Sequence, residues 1–112
     1  LWEKTQKLGL PWDAALGFDN ATPLGEFVEI DPSTVSQLDF SLRVDGEEQM
    51  SGSTAQWLHH VDQVIAEVSQ YFTLRRGDIF LMGAPTAPIS ITPDHKVETY
   101  LGDTRVLSFN VK

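Results

Sequence analysis

LDFSLRVDGEEQM, residues Leu38 to Met50, alternates apolar and polar side chains up to Val44 and then breaks at Asp45-Gly46. Successive side chains of a strand point to opposite faces, so Leu38, Phe40, Leu42 and Val44 form a buried face and Asp39, Ser41 and Arg43 a wet one. Asp-Gly between two extended runs is a strong two-residue hairpin signal, which makes Glu47 to Met50 the returning strand.

Downstream the period changes. Trp57, Leu58, Val61, Val64, Ile65, Val68, Tyr71 and Phe72 recur at three and four, which predicts one long amphipathic helix over Thr54 to Phe72, capped by Ser53 or Thr54. After Arg75-Arg76-Gly77-Asp78, the run Ile79 to Met82 lacks polar alternation and is expected as a strand buried on both faces, ending at Gly83-Ala84-Pro85. Ile89 to Ile91, Lys96 to Leu101 and Val106 to Val111 give a β-rich ending, the last two joined by a tight turn at Gly102-Asp103.

Upstream, Leu1 to Leu8 is expected to be helical and closed by Gly9 and Pro11. Trp12 to Gly25 is a loop, and Phe27 to Ile30 a short strand ended by Asp31-Pro32. The chain opens on Leu1-Trp2 without Met and enters a helix at once, so a preceding portion is expected. One helix laid on a mostly antiparallel or mixed sheet is the expected arrangement, an α+β class.

Composition excludes several functions. The 112 residues suit one domain, or half of a larger one, with a single modest core. A net charge of −8 with scattered Lys and Arg argues against nucleic acid as partner. No apolar run approaches the ~20 residues of a membrane helix, and no membrane partner is expected. Without cysteine there is neither a disulfide framework nor a thiolate metal site, which fits a cytoplasmic protein. The sequon Asn20-Ala21-Thr22 lacks a secretory signal and is set aside.

The stretches GLPWDAALGFDNATPLGEFV (9–28), LRVDGEEQMSGSTAQWLHHVDQVIAEVSQYFTLRRGDIFLMGAP (42–85) and GDTRVLSF (102–109) together span nearly the whole chain. Their order and spacing resemble the carboxy-terminal half of the fumarylacetoacetate hydrolase superfamily, in the small bacterial type that includes acylpyruvate hydrolases, oxaloacetate decarboxylases and isomerases. The resemblance implies a mixed β-roll and a homodimer. It also implies a magnesium or manganese ion held by carboxylates, which chelates a 2-oxo or diketo acid for C–C cleavage, decarboxylation or keto-enol isomerisation. The family's carboxylate ligands and its histidine-glutamate acid-base pair lie upstream of the matched region. Residues 1–112 therefore read as one fragment of such a catalytic domain, with no catalytic residue of its own and no metal ligand.

Departures from the family pattern are specific. A family glutamine aligns with Trp2, and the loop lysine is replaced by Leu16, followed by the retained Gly17-Phe18-Asp19. The family's threonine-glycine-threonine-proline turn reads Met82-Gly83-Ala84-Pro85, and the glycine-valine-glycine that follows becomes Ala87-Pro88-Ile89. A lysine can neutralise an oxyanion, whereas a leucine only packs. Leu16, Phe18, Asp19, Gly83, Ala84 and Pro85 are the family-matched positions expected to wall a substrate pocket. Two expectations remain open. The chain acts on 2-oxo acids when completed by an upstream half, or it is a degenerate, non-catalytic scaffold or dimerisation subunit. A small-ligand binding module is a third reading.

The other polar residues have simpler explanations. His59-His60 are adjacent, about 100° apart on a helix, and fit solvent-facing or capping roles rather than a shared metal. His95 beside Asp94 reads as a surface histidine in a turn, Glu47-Glu48 as a solvated hairpin arm, and Arg75-Arg76 as the rim of a strand. Asp19 either lines the pocket mouth or caps its turn with Asn20. Trp57 is expected in the core.

Overall fold

The computed structural model describes all residues, Leu1–Lys112. Its frame is a four-stranded antiparallel sheet in the order β2-β1-β3-β4, built from β1 (Asp39–Val44), β2 (Glu47–Ser53), β3 (Lys96–Leu101) and β4 (Thr104–Asn110). Three short helices complete it: α1 (Trp2–Leu8), α2 (Asp13–Leu16) and α3 (Val61–Val68). The α+β class read from the sequence holds.

The Asp45-Gly46 hairpin forms as its sequence requires. Both residues take positive φ, 52° and 81°, which matches the right-handed twist of the flanking strands. The second hairpin turns at Gly102-Asp103, and Val44 pairs with Val97 across the junction of β1 and β3. Phe40, Leu42, Val44, Val97, Thr99 and Leu101 share one face, and Leu107 and Phe109 join them from β4.

The opposite face is polar. Arg105 Nη1 donates to Glu98 Oε2 at 3.0 Å, and the Arg43 guanidinium lies 4.5 Å over the Tyr100 ring. The hydrogen bond from Arg105 holds the Glu98 carboxyl below its ordinary pKa.

Four expected elements do not form as read from the sequence. The long helix over Thr54 to Phe72 does not form. Ser53 and Gln56 make a capping box that starts a single 3₁₀ turn at Thr54–Gln56, Trp57 then extends (φ −63°, ψ 137°), and His60 starts α3 afresh with its N–H on Gln63 Oε1. Thr54 is fastened to the frame, donating to Val35 O at 2.6 Å and accepting from Leu38 N at 3.0 Å. The apolar period was thus read across two separate caps.

Ile79 to Met82 forms no strand, and Leu81 is 76% exposed instead of buried on both faces. A doubly buried strand needs a neighbour on each side, and no segment of this chain stands there. Phe27 to Ile30 runs beside β4 but is tied to it only near its start, where Glu26 N donates to Val106 O at 2.7 Å. Ile89 to Ile91 likewise forms no strand.

Burial is sparse. Val97 is the one buried apolar side chain, and the apolar stripe of α3 has no buried member. The accessible surface is 9288 Å², whereas a folded monomer of 12.5 kDa exposes about 6,200 Å². The radius of gyration, 15.8 Å, also exceeds the ~13 Å of a compact chain of this length. The surplus of about 3,000 Å² marks an open, sparsely packed chain.

Candidate functional site

Gly52 places the site on the sheet. It lies opposite Phe40 in the β1–β2 register, and the absence of a side chain lets the turn after Ile79–Met82 settle against it. A Cβ at Gly52 would lie 2.8 Å from Pro85 Cβ and 3.0 Å from Phe40 Cζ. Gly83 takes φ 93°, a conformation L side chains rarely adopt, and this reverses the chain so that Ala84 and Pro85 face back over the sheet.

Two cavities flank the turn. One, of about 590 Å³, lies between Gly83-Ala84-Pro85 and the connector Gln56–His59, with Phe40 and Val64 also lining it. The other, of about 430 Å³, lies between the same three residues and the Phe27–Ile30 segment, over Leu42, Met50 and Leu101. Both are predominantly apolar, and Gly83–Pro85 with Phe40 is the wall they share.

The structure therefore brings together only half of the residues expected to wall a pocket. Gly83, Ala84 and Pro85 line both cavities. Leu16, Phe18 and Asp19 line neither and lie exposed on the amino-terminal loop. That loop is held locally: Gly17 N donates to Asp13 O, Ala21 N to Phe18 O, and Trp2 stacks on Trp12 with ring centroids 6.5 Å apart. Trp57, expected in the core, instead forms a cavity wall, and His59 and His60 sit on the connector and at the α3 cap rather than within a helix.

Sequence reasoning missed one pairing. His95 Nδ1 meets Asp45 Oδ2 at 2.5 Å, and Asp45 Oδ1 accepts from Lys96 N at 2.9 Å. The Lys96 N–H first, and then His95, hold the Asp45 carboxyl below its ordinary pKa. The clasp joins the tip of one hairpin to the root of the other, across 50 residues that carry no local signal of it.

No three His, Cys, Asp or Glu side chains cluster so as to hold a metal ion. No helix is long and apolar enough to cross a membrane.

The sheet, the shared turn and the uncovered apolar side define an α+β domain with two apolar-lined cavities on one face. The sequence profile described as "Fumarylacetoacetate (FAA) hydrolase C-terminal" matches residues 1–111, and the chain belongs to that family. It is 39% identical over 87 residues to the oxaloacetate tautomerase YcgM of Escherichia coli (strain K12), covering 73% of this chain and 38% of that protein. It is 27% identical to the mitochondrial oxaloacetate tautomerase fahd-1 of Caenorhabditis elegans, covering 98% of this chain and 52% of that one. A solved structure from Yersinia pestis CO92, assigned to the fumarylacetoacetate hydrolase family, superposes with a TM-score of 0.86 at 28% identity, covering 99% of this chain and 51% of the other. The chain spans about half the length of most of the curated relatives it matches, and 38% of YcgM.

Proposed function

We propose that this chain is the carboxy-terminal half of the catalytic domain of an enzyme acting on small 2-oxo or diketo acids, with keto-enol interconversion of oxaloacetate the leading reaction. The observation that carries the reading is its similarity, over nearly its full length, to oxaloacetate tautomerases of a nematode and a plant, beside the shorter match to the bacterial protein. The roughly 3,000 Å² of surplus surface supports a second half that closes the sheet into a roll over the Gly83–Pro85 turn. In such an assembly this chain's contribution is a dry wall that shapes the pocket and excludes water, and any divalent ion would take its ligands from the facing half. A homodimer, a cytoplasmic location and the lack of nucleic-acid partners complete the proposal.

One observation favours a second reading. Leu16 and Ala84 replace side chains that carry charge or a hydroxyl in the family pattern, and Leu16 lines neither cavity. A degenerate, non-catalytic scaffold of the same fold would tolerate both. The test is to follow conversion of enol to keto oxaloacetate by the native-length protein, with magnesium or manganese added. Acceleration over the spontaneous rate supports the enzyme. A well-folded protein that accelerates neither oxaloacetate interconversion nor acylpyruvate cleavage with either metal is the scaffold.

A further inference from the structure

Asp45-Gly46 is the one place in the chain where an aspartate or asparagine precedes glycine. Such a pair carries a backbone reaction of its own, because glycine has no side chain to shield its amide nitrogen. The Gly46 nitrogen attacks Asp45 Cγ and forms a C–N bond, losing its proton, while the carboxyl hydroxyl leaves as water. Water then reopens the resulting succinimide ring at either carbonyl. Opening at the Asp45 main-chain carbonyl leaves the chain running through the former side chain, as isoaspartate, so the sum is an isomerisation in which the water lost is regained. Both residues are exposed at the tip of the first hairpin, where solvent reaches them.

The clasp opposes this reaction. A carboxylate only accepts hydrogen bonds, so His95 Nδ1 carries the proton in the 2.5 Å contact with Asp45 Oδ2, and Lys96 N donates to Oδ1 at 2.9 Å. Both donors stand at the root of β3, so both carboxyl oxygens are tied to that strand instead of being free to turn onto Gly46. The main chain is tied the same way, with Asp45 N donating to Lys96 O at 2.8 Å. The same hydrogen bonds favour the ionised carboxylate, which has no hydroxyl to lose as water. We propose that Asp45-Gly46 is a covalent modification site of this protein, converting to isoaspartate through the succinimide when the clasp opens, with His95 and the Lys96 N–H as its guard. Isoaspartate adds a carbon to the main chain, and a two-residue turn fixes the register of its hairpin, so the modified chain loses the fastening of β1 to β3. The amount of isoaspartate then records how often the clasp has opened.

The test is to incubate the native-length protein at neutral pH with and without urea, digest it, and separate by chromatography the equal-mass aspartate and isoaspartate peptides that contain residue 45. Isoaspartate should accumulate more slowly in the folded parent than in urea. His95→Ala should raise the folded rate about threefold or more, the scale of losing one partly exposed hydrogen bond. His95→Asn places an amide nitrogen where Nδ1 stood and should restore the parent's rate, with circular dichroism checking that both variants stay folded. An unchanged rate in His95→Ala, equal rates in folded and unfolded parent, or no isoaspartate at residue 45 in the unfolded chain overturns the assignment. So does an acceleration in His95→Ala that comes only with lost ellipticity, or one that His95→Asn shares in full.

Discussion

Replacing Gly52 with alanine tests whether the Pro85 turn is seated on the sheet by lack of space rather than by its own loop. The added methyl would sit 2.8 Å from Pro85 Cβ and 3.0 to 3.1 Å from the Phe40 ring. Carbon contacts settle at about 3.5–4.0 Å, so the turn must retreat by about 1 Å or Phe40 must rotate. Overpacking of this kind costs about 1–3 kcal/mol. Gly52 has no positive φ, so alanine fits its backbone and returns about 0.5–1 kcal/mol by stiffening the unfolded chain. The net expectation is a loss of about 1 kcal/mol, seen as a melting temperature lower by about 4 °C. The assay is thermal unfolding followed by tryptophan fluorescence, with Ser51→Ala, an exposed neighbour on the same strand, as control. A Gly52→Ala protein that melts at or above the parent refutes the seating of Pro85 on Gly52.

Three further outcomes are expected. Thr54→Val deletes the hydroxyl that serves Val35 O and Leu38 N, leaving two partly buried backbone groups unpaired, and should lower unfolding free energy in urea by about 1–3 kcal/mol. Asp45→Asn keeps a residue that tolerates positive φ but loses the charge facing His95. Because the folded-state pKa of Asp45 is depressed, its contribution is present above the ordinary carboxylate pKa of 3.8 and fades as pH falls through the folded value. The variant should therefore melt below the parent at neutral pH, and the two curves should converge at pH values under 3.8. Leu81→Lys, at a side chain 76% exposed in this chain, should be neutral if solvent covers it. In the native-length protein it should lower the melting temperature or shift the sedimentation coefficient if a facing surface covers it, as proposed.

The hairpins were legible because their signals are short-ranged: period-two alternation and Asp45-Gly46 act within a few residues. The helix from Thr54 to Phe72 was misjudged because hydrophobic period records which side chains seek cover, not where the backbone is capped. Ser53 with Gln56, and His60 with Gln63, set two starts within one apolar pattern. Ile79 to Met82 has the composition of a central strand, yet it pairs with no strand of this chain, and pairing cannot be read from one strand alone. All six candidate wall positions came from the family pattern, and of these Gly83–Pro85 line the two cavities. Local hydrogen bonds hold Leu16, Phe18 and Asp19 elsewhere.

The Asp45–His95 clasp also bears on how far this domain can diverge. Everything between β2 and β3, including the connector, α3 and the Gly83 turn, is one long excursion that leaves at Ser53 and returns at Lys96 on the two strands flanking β1, its returning end fastened by the clasp. The entropy of closing such a loop grows only with the logarithm of its length, about 0.6 kcal/mol per doubling. Insertions and deletions in the excursion thus reshape the pocket wall at little expense to the sheet. Lineages of this fold can change what they bind by trading loop segments while the two hairpins keep their register.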